Sequence, residues 1–97
     1  MSWYEITGGL MVQEPDNIHK WEYEVKSKTV KNRWGRDETT TYHMFKSGPV
    51  VLTIHLYAIR PRRWSANVSG VANKFKLFGG DNVLDAFSYA SELRSEL

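Results

Sequence analysis

Apolar residues recur with a period of two along most of this 97-residue chain, and the period changes once, after Gly79 and Gly80. Alternation by two puts successive side chains on opposite faces of a strand, whereas spacings of three and four draw a stripe along a helix. A single change of period therefore predicts a sheet followed by a helix.

The clearest strand lies around residues 20 to 28. Trp21, Tyr23 and Val25 share one face, and Lys20, Glu22, Glu24, Lys26 and Lys28 share the other, the pattern of a half-buried antiparallel strand. Residues 31 to 38 have no apolar period and carry Asn32, Gly35 and Asp37, which marks a hairpin loop. Threonine and aromatic residues return from Thr39 to Phe45, and Ser47-Gly48-Pro49 punctuates the next reversal. From Val50 to Ile59, Val50, Leu52, Ile54, Leu56 and Ala58 share a face, and the opposite face is mostly apolar or aromatic, as expected of a central strand. Arg60-Pro61 ends it, because proline donates no ladder hydrogen bond. Weaker alternation over residues 64 to 78 reads as one bent strand or two short ones. Near the start, Tyr4, Ile6, Leu10 and Val12 alternate around Gly8-Gly9, which reads as one strand with a bulge or bend, and Pro15-Asp16-Asn17 follows as a turn.

Beyond Gly80 the residues Val83, Ala86, Phe87, Ala90, Leu93 and Leu97 form one helical stripe of about four turns. Asp81 or Asn82 is placed to accept the first free backbone N–H groups. The aliphatic face of the central strand is the largest partner on offer for that stripe. The expected fold is α+β: a mostly antiparallel sheet of about five strands with one C-terminal helix packed on one face, in a single domain over residues 1–97.

Several kinds of chemistry find no support. The chain has no cysteine, which excludes disulfides, thiolate nucleophiles and thiolate metal sites and suits a reducing compartment. With no basic leader and no long apolar run, a cytoplasmic protein that avoids membranes is expected. His43 and His55 flank the turn at residues 47 to 49, but two imidazoles fall short of the three or four ligands of a stable zinc site unless Asp37 or Glu38 swings in. They read as aromatic-like residues on a sheet surface, and His19 reads as solvent-facing. No nucleophile elbow occurs, Glu22 and Glu24 are bracketed by Lys20 and Lys26, and Gly79-Gly80 fits neither phosphate-binding glycine pattern. The expectation is a protein without cofactor, metal or enzymatic activity.

Charge is the distinctive feature. Thirteen Lys and Arg against 11 Asp and Glu leave +2, but Lys26, Lys28, Lys31, Arg33 and Arg36 in one segment and Arg60, Arg62 and Arg63 in another hold eight of the cations. Acids concentrate toward the two ends of the chain. Trp34 sits inside the first basic segment and Trp64 follows the second, and cations beside indoles are suited to gripping phosphates and stacking on bases. These ten residues are the expected site of a small non-enzymatic module that engages a polyanion, nucleic acid or nucleoprotein, provided that both segments lie at one end of the sheet. The alternative is an inhibitor of the phage or mobile-element type, whose arginines meet an acidic protein surface and whose anchors are Trp3, Tyr57 or Tyr89. A homodimer through an exposed edge strand is a third expectation.

Overall fold

The computed structural model describes residues 2–57 and 63–97. Its elements are β1 (Tyr4–Ile6), β2 (Leu10–Val12), β3 (Glu22–Lys31), β4 (Asp37–Ser47), β5 (Val50–Tyr57), β6 (Arg63–Ser69), β7 (Lys76–Gly79), a 3-10 turn (Gly80–Asn82) and α1 (Asp85–Ser95). Strands β3 to β7 form one antiparallel sheet in sequence order, and β1 and β2 form a separate antiparallel pair. The fold is α+β, as the single change of period predicted.

Three details differ from the sequence reading, and one open alternative is resolved. The N-terminal segment is a hairpin rather than a bulged strand. Gly9 N–H donates to the Ile6 carbonyl at 3.0 Å and Tyr4 pairs with Val12, because two successive glycines let the chain reverse completely. Residues 64 to 78 form two strands. Gly70 ends the first with φ of 100°, and a Cβ there would lie 1.6 Å from the Pro49 carbonyl oxygen, so only glycine fits beside the β4–β5 turn. Finally, α1 has no side-chain cap from Asp81 or Asn82. Ala86 N–H bonds to Val83 O and Phe87 N–H to Leu84 O, each at 3.2 Å, so i to i+3 backbone bonds satisfy the first donors. Leu97, expected to close the helical stripe, is exposed because α1 stops at Ser95.

One face of the five-stranded sheet is covered. Val50, Leu52 and Ile54 of β5 are fully buried there with Phe45 of β4 and Ala66 and Val68 of β6. Helix α1 presses Ala86, Ala90 and Leu93 onto this face over β5 and β6, and the β1–β2 hairpin contributes Ile6 and Val12 alongside. Phe45 links the two covers, with its ring 5.2 Å from Tyr4 on one side and 5.8 Å from Phe87 on the other. Each large apolar side chain removed from water contributes roughly 1.5–3 kcal/mol.

The segment between β2 and β3 is held by one carboxylate. Asp16 accepts hydrogen bonds from the backbone N–H of Ile18 and His19, from His19 Nδ1, from Trp21 Nε1 and from Ser91 Oγ of α1. Burial opposes its ionisation, but the bonds from His19, Ser91 and Trp21 outweigh that and hold its pKa well below the usual carboxylate range. His19, expected to face solvent, is drawn into this cluster because Asp16 takes both its backbone and its ring nitrogen.

The sheet is longer on one side than on the other. Pairing between β4 and β5 stops at His43 and Ile54, while β3 and β4 remain paired to Lys31 and Asp37. Residues 37 to 42 of β4 therefore run on beyond the last β4–β5 pair, with Tyr42 still beside His55 of β5 and residues 37 to 39 reaching about 10 Å past Tyr57 at ~3.3 Å per residue. No helix among the described residues is long and apolar enough to cross a membrane.

Candidate nucleic-acid interface

The outer part of β3 and β4 is a two-stranded arm with little apolar burial. Its cross-strand pairs are polar: Ser27 Oγ lies 3.2 Å from Thr41 Oγ1, and Thr29 Oγ1 lies 2.8 Å from Thr39 Oγ1. On the opposite face Lys26 stands beside Tyr42 and Lys28 beside Thr40. Threonine-rich pairs of this kind keep a ribbon extended through the ladder and local contacts. The alternation seen around residues 20 to 28 thus buries Trp21 and half-buries Tyr23 but leaves Val25 48 % exposed, since the covering layers do not reach that far.

Asn32 shapes the tip. Its Oδ1 accepts from the N–H of Trp34 at 2.9 Å and of Arg36 at 3.0 Å, its own N–H donates to Arg36 O at 2.8 Å, and its Nδ2 donates to Glu38 Oε1 at 3.1 Å. Arg33, Trp34 and Gly35 form a three-residue loop, with Gly35 supplying the positive φ of 75° that such a turn needs before the strand resumes. Trp34 is carried to the extremity, 69 % exposed, with the Arg33 guanidinium 4.5 Å from the ring centroid.

The charges on the arm are unequal in availability. Lys26 pairs with Glu24 at 3.5 Å and Lys31 with Asp37 at 3.8 Å, both in exposed positions where such pairs hold weakly. Glu24 also accepts from Lys46 at 2.7 Å, and that bond lowers its pKa. Lys28, Arg33 and Arg36 have no acidic partner among the described residues. Over residues 26 to 42, five cations against Asp37 and Glu38 leave +3, more than the net charge of the whole chain.

Of the second basic segment, Arg60 and Arg62, with the strand end at Ala58 and Ile59 and the Pro61 stop, lie outside the described residues. Arg63 pairs with Tyr57. Because β3 and β5 run in the same direction, Tyr57 and Arg63 lie at the same end of the sheet as the arm's turn. Trp64 does not project with Arg63. It pairs with Leu56 on the covered face, packs against the core, and donates its indole N–H to Thr7 O at 3.0 Å. Its alternation parity places it there.

His43 and His55 point to opposite faces of the sheet. His43 is buried on the covered side, where Nε2 accepts the Thr7 N–H at 3.1 Å and lies 2.7 Å from Thr7 Oγ1, and Nδ1 is 2.6 Å from the Tyr23 hydroxyl. An acceptor at Nε2 assigns the proton to Nδ1 and the ring to its neutral form. His55 is buried on the uncovered side between Tyr42, at 5.1 Å between centroids, and Tyr57, at 4.6 Å. Burial pushes the pKa of both histidines down. Among the described residues, no three His, Asp or Glu side chains gather as metal ligands do.

Sequence reasoning passed over Asn32 as an organiser of the tip and over Tyr42, His55 and Tyr57 as a cluster. The signal for the cluster was present, because these residues occupy the faces of β4 and β5 opposite Phe45 and Ile54. Comparison of the chain with known protein families, curated proteins and solved structures finds no match.

Proposed function

We propose that the protein is a non-enzymatic binding module that grips nucleic acid with the β3–β4 arm and the adjoining end of β5 and β6. The observation that carries this reading is the projecting ribbon itself, which presents Lys28, Arg33 and Arg36 without acidic partners beside an exposed Trp34. Lys26 and Lys31 can exchange their weak surface pairs for phosphates, and Arg63 adds a cation at the same end. A two-stranded ribbon is narrow enough for the major groove of B-DNA, about 12 Å wide. Cations on the ribbon release counterions from the phosphates they neutralise, and Trp34 supplies a π-face for stacking. In this reading the cysteine-free chain works in the reducing cytoplasm.

Fluorescence anisotropy of labelled oligonucleotides across a salt series tests the proposal. Neutralising about three to six phosphates gives a log–log slope of affinity against salt between about −3 and −5. Lys28→Ala, Arg33→Ala and Arg36→Ala combined should flatten that slope and abolish most of the binding. Affinity that is indifferent to salt, or unaffected by the triple substitution, rejects the reading.

The inhibitor reading keeps one specific support. Trp3, Met11 and Leu84 are exposed together and line a shallow groove with Phe87 on the helix side, an apolar patch suited to a protein partner. Binding to a protein target that survives nuclease treatment and is lost in Trp3→Ala, but not in the triple arm variant, would favour it.

A further inference from the structure

The uncovered face of the five-stranded sheet is patterned rather than uniformly polar. Strand register sets its rows: Glu24, Met44, Thr53, Asn67 and Leu77 cross the sheet in one, and toward the arm the next contains Lys26, Tyr42, His55 and Ser65. Tyr57 and Arg63 pair one step farther on, and Lys28 flanks the same level from β3. The centre of this end of the face is thus three contiguous aromatic rings, and its two margins are cationic. Helix α1 and the β1–β2 hairpin both lie on the other side of the sheet.

Two features distinguish this cluster from ordinary surface aromatics. Tyr57 is 49 % exposed although it lies against His55, so the cluster keeps an open ring at its edge. His55 is only 8 % exposed, and its Nδ1 is buried without a hydrogen-bond partner among the described residues. Burial lowers the pKa of His55, so it supports the two tyrosines as a neutral ring rather than as another cation.

We propose that this face is a stacking platform for single-stranded nucleic acid, with the open ring of Tyr57 and the half-buried Tyr42 receiving unpaired bases over a buried His55, and Lys26, Lys28 and Arg63 receiving the phosphates that join them. The inference rests on the nucleic-acid reading above and narrows it to a substrate class. Aromatic rings along a sheet accept any base by its π-face, while bases within a duplex are already stacked on one another and are not available. The arm then contacts backbone of either form, and the platform selects the single strand.

Anisotropy titrations of the full chain with a labelled single strand of about ten nucleotides, and with the duplex of the same sequence, separate the two roles. Tyr57→Ala should weaken single-strand binding by roughly tenfold, the usual scale for one stacked base, and duplex binding far less, with the salt slope retained. Tyr57→Phe should retain wild-type affinity, because stacking needs the ring and not the hydroxyl. If oligonucleotides bind in a salt-dependent way but Tyr57→Ala binds the single strand like wild type, the platform is overturned and the arm reading stands. Equal weakening toward both substrates also overturns it, since it indicates a general contact. Absence of binding to either oligonucleotide removes both proposals.

Discussion

The two halves of the β3–β4 hairpin are continuous in backbone and opposite in what holds them. Near the body, Trp21, Tyr23 and Phe45 are covered by the β1–β2 hairpin and α1, and the strands belong to a packed core. Toward the tip the same ladder continues with Ser27, Thr29, Thr39 and Thr41, where pairing is local and most side chains meet water. A strand can therefore serve folding at one end and recognition at the other, with the boundary set by where the covering layers stop. It follows that substitutions at the two ends should separate stability from binding.

The largest effect expected is at Phe45, which touches rings from both covers. Phe45→Ala should lower stability by about 3–5 kcal/mol, read from the denaturant midpoint. A loss below about 1 kcal/mol would mean that the two covers do not share one core. Next, Asp16→Ala strands the Trp21 indole N–H, the Ser91 hydroxyl and the His19 N–H, and should cost about 2–3 kcal/mol. A cost at this level would show that the body is held by a polar clasp as well as by apolar packing.

Smaller is the pH dependence of the body. The folded pKa values of His43 and His55 lie below the ordinary 6.5, so the unfolded chain binds more protons as the pH falls through that value. Stability should be at its full level above about pH 6.5 and decline below it, with a further decline below about pH 4 as Asp16, whose folded pKa is depressed, takes up its proton. Chemical denaturation at several pH values checks the sign. A rise in stability on acidification from neutral pH would contradict the neutral, internally bonded imidazole of His43.

The smallest change in stability belongs to the arm. Arg33→Ala and Arg36→Ala should each shift stability by less than about 0.5 kcal/mol, because their side chains leave the ladder untouched. A thermal midpoint that drops as far as for Asp16→Ala would break the contrast between the halves. Asn32→Ala sharpens it. By removing the acceptor for Trp34 and Arg36 N–H it should loosen the tip, reducing binding more than stability, with both measured on the same preparation.

The main strands, the central position of β5 and the C-terminal helix were legible because period-2 alternation and its one change are local properties of the chain, whereas which strands are neighbours was not. The Gly8-Gly9 reversal and the helix start were less so, because local signals there admit more than one backbone path and tertiary packing selects among them. Of the candidate site, the cations were visible by composition, but their freedom was not. Lys31 acquires Asp37 through strand pairing and Lys26 meets Glu24 on the same face of its own strand, whereas Lys28, Arg33 and Arg36 have no acidic partner among the described residues.

The amino-acid order by itself determined most of the elements and the place of the arm's turn, since alternation and the turn residues around Gly35 act over a few residues. Only the tertiary structure decided that Trp64 turns inward to Thr7 while Trp34 stands free, that His43 and His55 part to opposite faces, and that Tyr42, His55 and Tyr57 meet on the uncovered one. Those outcomes depend on register and on which face the helix covers, and both are settled by burying the largest apolar surface of the whole chain rather than by any short segment of it.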